Sequence, residues 1–151
     1  MKKIFFAITL FTAPFFFSQE VTDVKIVASD KKESTAELSK EKIVLYNEKY
    51  FAFIKALKTP ADRSSIDALL SEKVKTLVTD KVVKKLTDGI QLDKKMDVFK
   101  SGHEMLMDGV SYPMIQYKYS DDKSSLPKDI ITVLFEEDGK IIGVKPEGKN
   151  K

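Results

Sequence analysis

The hydrophobic pattern changes period at Gly89, and that change constrains the fold more than any other feature. Upstream, apolar residues recur at helical spacing: Ile43, Tyr46, Tyr50, Phe53, Ile54 and Leu57, then Ile66, Leu69, Leu70, Val74, Leu77 and Val78. Residues three and four apart share one face of a helix, so each set predicts an amphipathic helix. Downstream, aromatic and β-branched residues come in short runs divided by turn residues, the pattern of strands. Helices first and strands after predict an α+β domain with helices covering one face of an antiparallel sheet.

Local signals place the expected elements. Ser34 and Glu37 have capping-box spacing for a first helix, and Thr59-Pro60 ends it, because the residue before proline avoids the α region. Val44, Leu45 and Phe51 widen its apolar stripe, as burial against more than one neighbour requires. Ser64 and Asp67 offer a second cap, for a helix from about Ser65. Asp80 offers a third, for a short helix carrying Val82, Val83 and Leu86, with Gly89 placed to end it. Strands are expected near Met96–Lys100, His103–Met107, Val110–Tyr119, Ile130–Glu136 and Lys140–Lys145. Asp108-Gly109 and Asp138-Gly139 fall between such runs and read as hairpin turns. The expectation is two to three helices on a curved antiparallel sheet of four to five strands.

The N-terminus reads as an export signal. Lys2 and Lys3 precede an apolar run from Ile4 to Phe17, and Ser18-Gln19 leads into a charged segment. A basic start, a short apolar core and a small residue at the cut are the parts of a secretory signal peptide. The division expected is a signal peptide at 1–18, a flexible leader at 19–34, one α+β domain at 35–147 and a disordered tail at 148–151. The protein is then periplasmic or secreted, with no stable membrane span after processing. Loss of Lys2 and Lys3 takes the formal net charge down from +3, and a nearly neutral domain carries no electrostatic footprint for nucleic acid. The chain has no cysteine, so a disulfide framework is excluded and the core alone must hold the fold.

The aromatic helix, the second helix and the antiparallel meander resemble the cystatin-like, nuclear-transport-factor-two-like superfamily. The segment from Ile131 to Val144 is similar to the terminal hairpin of small secreted bacterial domains in it. The resemblance spans roughly residues 36 to 147. It implies a sheet wrapped around a helix as a cone, which holds a ligand or active site in some members and is simply packed in others. Steroid-isomerase-like members pair a carboxylate base with a tyrosine in that cone. Asp97 or Asp108 with Tyr46 or Tyr50 could imitate them.

The residues themselves give little ground for an enzyme. His103 is the single histidine, too few for a zinc site without cysteines. No nucleophile elbow or phosphate-cradling glycine loop is present. No metal or organic cofactor is expected. The lysines at 73, 75, 81, 84, 85, 94 and 95 read as solvated helix faces, with a polyanion-binding patch as the rival reading. Met105, Met107 and Met114 read as core filling. The function expected is an exported, non-catalytic binding or interaction domain for a small apolar ligand or a protein partner. Tyr46, Tyr50, Phe53, Tyr112 and Met114 are the candidate pocket wall, because tyrosine combines apolar area with an orienting hydroxyl. Two alternatives stand beside it: a small cone-pocket enzyme, and an inhibitor or immunity-like protein acting through an exposed apolar wedge.

Overall fold

The computed structural model describes residues 37–59 and 62–148. The expected signal peptide, the leader and Ser34 lie outside the described residues. α1 spans Lys40–Leu57 and starts more than a turn later than the capping-box reading placed it: Ser39, not Ser34, is the N-cap, accepting from the Lys42 amide at 3.3 Å. Glu41 in the first turn and Lys55 in the last suit the helix dipole. Tyr46, Tyr50, Phe53, Ile54 and Leu57 form its buried face. Each such side chain taken from water contributes roughly 1.5–3 kcal/mol, far more than a cap.

The expected second helix is two short ones, α2 (Arg63–Leu69) and α3 (Glu72–Lys75). The break is tertiary. Leu70 turns extended and bridges in parallel to Ile141, and the Ser71 amide donates to the Ile141 carbonyl at 2.9 Å. Caps differ too. Asp62, not Ser64, caps α2, accepting from the Ser65 amide at 3.3 Å; Asp67 instead pairs with Arg63 at 2.8 Å. α4 (Asp80–Gly89) has Thr79 as its N-cap, with Asp80 inside the first turn. Its end needs no left-handed glycine: Ile90 turns extended and is buried, which pulls the chain out of the helix.

The sheet is a four-stranded antiparallel meander in the order β1 (Met96–Met105), β2 (Ser111–Tyr119), β3 (Ile130–Phe135), β4 (Ile141–Glu147). The two strands expected before Asp108 are one. β1 runs straight through Ser101-Gly102, with a β-bulge at Phe99 absorbing the extra residue. Both Asp-Gly turns lie where expected and are built alike. Gly109 donates to Leu106 and Gly139 to Glu136, each at 2.9 Å, with glycine φ of 77° and 89°. Asp108 and Asp138 accept from the amide two residues on, at 2.9 and 3.0 Å. Glycine therefore closes a three-residue loop in the left-handed region.

Register assigns side chains to faces. Met114 opposes Leu134, and Ile115 opposes Val133. All four are buried, so both faces of the central strands are covered. α1 covers the face of Ile115, Tyr117 and Phe135. Its Tyr46 ring stacks on Phe135 at 4.7 Å and 11°, and its Tyr50 ring on Tyr117 at 4.3 Å and 22°. Lys73 of α3 lies over the ring of Tyr112, 5.4 Å from its centroid, on the opposite face.

Candidate ligand groove beside the first helix

The five residues predicted as a pocket wall do not share one wall. Tyr46, Tyr50 and Phe53 are fully buried on the sheet-facing side of α1. Tyr112 and Met114 alternate with Tyr117 on β2 and project from the other face. The three helical residues form an interlocked aromatic layer. Tyr117 donates to Asn47 at 2.7 Å, and the Tyr50 hydroxyl reaches the Met96 sulfur at 3.6 Å. Tyr46 differs, because its hydroxyl is buried with no hydrogen-bond partner among the described residues. Burial, with the negative charge of Glu137 and Asp138, pushes it up to about 12. Burial also raises Tyr50 and Tyr117 well above the ordinary phenol range.

The carboxylates weighed as bases are elsewhere. Asp108 accepts from Tyr112 at 3.0 Å, next to its own turn. Asp97 is exposed on β1. Tyr112 continues into a polar chain in which Lys73 lies 3.5 Å from its hydroxyl and 3.2 Å from Glu136. Ser71 donates to Glu136 at 2.9 Å. The bonds to Glu136 and then Tyr112 raise the Lys73 pKa. Among the described residues, no three of His, Asp and Glu converge as metal ligands. His103 sits half-buried on β1 opposite Pro113.

An open groove of about 460 Å³ lies where the second half of α1 meets the start of β1. Ile54, Leu92 and Met96 line its floor, and Phe51 stands at the mouth with 41% of its surface exposed. The Phe51 ring packs edge-on to Tyr117 at 5.9 Å, so the groove and the aromatic layer share a wall. Lys55, Lys58, Lys94 and Lys95 form the rim against Asp93 and Asp97. Lys58 pairs with the fully exposed Asp93 at 3.1 Å. Lys94 pairs with Asp121 at 2.7 Å, and that hydrogen bond raises its pKa. The groove therefore has an apolar floor and, at its rim, four ammonium groups against two carboxylates. Its volume falls in the usual range for small-molecule sites, about 300–1,000 Å³.

Sequence reading missed most of this groove. Phe51 widens the apolar stripe in sequence, yet it lies off the buried face of α1. Leu92 and Asp93 sit in the connection before β1 and come to α1 only through the fold. Of the lysine cluster, only Lys94 and Lys95 line the groove. Lys84 is paired with Asp88 on α4.

The chain matches no family profile, no curated protein and no solved structure.

Proposed function

We propose that the chain is an exported, non-catalytic binding domain, and that its ligand is a small apolar molecule carrying a negative charge, held in the groove between α1 and β1. The observation that carries this reading is the exposed Phe51 and its apolar neighbours beneath four lysines. A concave apolar lining with a few charged groups at its edge is the usual form of a small-molecule site. The cone of the cystatin-like resemblance belongs to the same proposal, supported by the order of helices and meander and by α1 packing along one face of the sheet. Among the described residues no helix is long and apolar enough to cross a membrane. Export rests on the sequence of residues 1–18.

The test is a titration with dodecanoate, an anionic amphiphile. Phe51→Ala should weaken binding roughly tenfold, the value of losing most of one buried aromatic contact, while the melting temperature barely moves. Lys94→Glu with Lys95→Glu should weaken it further. Undiminished binding in both variants defeats the groove. Mass spectrometry of protein from the native cell should find an N-terminus near Gln19, and intact Met1 in the soluble cytoplasm would contradict export.

A second reading, an inhibitor-like protein acting through a wedge, is favoured by the β1–β2 hairpin. Met105, Met107 and Val110 are 54%, 73% and 47% exposed there.

A further inference from the structure

We infer that the ligand is a two-chain anionic lipid that straddles the last two turns of α1, with its head at Lys55 and one chain on each side. The inference rests on the groove beside α1 being a binding site, and it names the class of molecule held there. What carries it is a second groove. An open trough of about 480 Å³ lies along the other flank of α1, where that helix meets α2. Ala52, Ala56, Ala68 and Leu69 line it, and the small side chains make the space. Like the first groove, it falls within the volume range of small-molecule sites, about 300–1,000 Å³.

Helix geometry explains why the two grooves meet at one side chain. Residues three and four apart share a face, and neighbours in sequence are turned by about 100°. Phe51, Ile54 and Lys58 therefore line the first groove, and Ala52, Ala56 and Thr59 the second. Among the described residues, Lys55 is the one that lines both. It stands on the ridge between them.

Charge places the head on that ridge. Lys58 is held by Asp93 at 3.1 Å and Lys94 by Asp121 at 2.7 Å, whereas Lys55 and Lys95 stand in no ion pair among the described residues. Their ammonium groups are left to meet an anion. Asp62, which also lines the second groove, keeps the head away from the start of α2. It accepts from the Ser64 hydroxyl at 2.6 Å and from the Ser65 hydroxyl, and these bonds hold its carboxyl below the usual range. The carbonyls that end α1 contribute roughly half a negative charge, which the four ammonium groups at the rim outweigh. A single chain fills one groove and leaves the apolar lining of the other in water. Two chains on one head fill both.

Isothermal titration calorimetry tests this with three probes, each below its micellar concentration: dodecanoate, dioctanoyl phosphatidic acid and its one-chain octanoyl counterpart. The two-chain lipid should bind one to one and at least tenfold tighter than the one-chain form, a gain supplied by about two methylenes leaving water. Ala52→Leu, at an exposed helix position, should remove that gain by filling the second groove. Ala68→Leu fills it from α2, and replaces the first variant should that one fold poorly. Lys55→Gln should weaken the two-chain lipid roughly fivefold, the value of one exposed ion pair. Lys84→Gln, which lines neither groove, should not. A two-chain lipid no tighter than the one-chain form overturns the inference, as does a gain that survives both leucine variants. If dodecanoate then still binds through Phe51, the first groove stands and the two-chain ligand alone is refuted. No binding of any of the three probes refutes both.

Discussion

Gly139 and Gly109 occupy equivalent places in two similarly built hairpins, and replacing each with alanine separates backbone strain from packing. At both positions φ is positive, 89° and 77°. Holding an L-residue there costs about 1–2 kcal/mol. Both substitutions also stiffen the unfolded chain, a gain of roughly 0.4–1 kcal/mol that cancels in the comparison. Surroundings differ. A Cβ at Gly109 meets nothing within 4 Å, whereas one at Gly139 would lie 3.0 Å from Lys49 Cγ and 3.4 Å from Leu45 Cγ on α1. Overpacking typically costs 1–3 kcal/mol, and the Lys49 stem can give a little, so about 1 kcal/mol is the expected excess at Gly139. Gly139→Val should be worse than Gly139→Ala, because a β-branched residue resists positive φ. The assay is urea unfolding, read as a shift in midpoint at constant slope. Equal losses at the two positions would refute the docking of the β3–β4 turn on α1. A larger loss at Gly109 would refute the shared turn geometry as well.

Tyr46→Phe should leave stability unchanged or raise it by about 1 kcal/mol, since it removes a buried hydroxyl without a partner; Tyr117→Phe, which loses the bond to Asn47, should cost about 1 kcal/mol by the same urea assay. Tyr50→Ala should cost about 3–5 kcal/mol as a large core deletion, against a small change for half-exposed Phe51→Ala in thermal melts. Alkaline pH should unfold the protein. The Tyr46 phenol is raised from 10.0 to about 12 in the fold, so its contribution is complete below the unfolded value and lost as pH climbs from 10 toward 12. Tyrosinate absorbance of the buried rings should then appear together with loss of the near-ultraviolet circular dichroism, and ionisation well before unfolding would contradict the packing.

Much of the fold is legible in local sequence, because local physics decides it. The stripe from Tyr46 to Leu57 gave the buried face of α1, and the two Asp-Gly pairs located both hairpins. What escaped was set by distant partners. Nothing near Leu70 announces that Ile141 will bridge to it and split a helix. Ser101-Gly102 falls between two expected strands until β2 supplies a continuous ladder. The caps moved because several Ser and Asp residues compete at each helix start, and tertiary position chose Ser39, Asp62 and Thr79. The candidate site was less legible than the fold. Aromatic residues at helical spacing look alike whether they end in the core, as Tyr50 does, or at a groove mouth, as Phe51 does. Only the approach of Leu92 to Asp97 distinguishes them.

The central claim, that the groove beside α1 holds an anionic apolar ligand, is tested most directly by backbone amide shifts during titration with dodecanoate. Saturable shifts confined to residues 51–58 and 92–97, reduced in Phe51→Ala, are the expected result. Shifts centred on Tyr112 and Met114, or small unsaturable shifts across the surface, would contradict it.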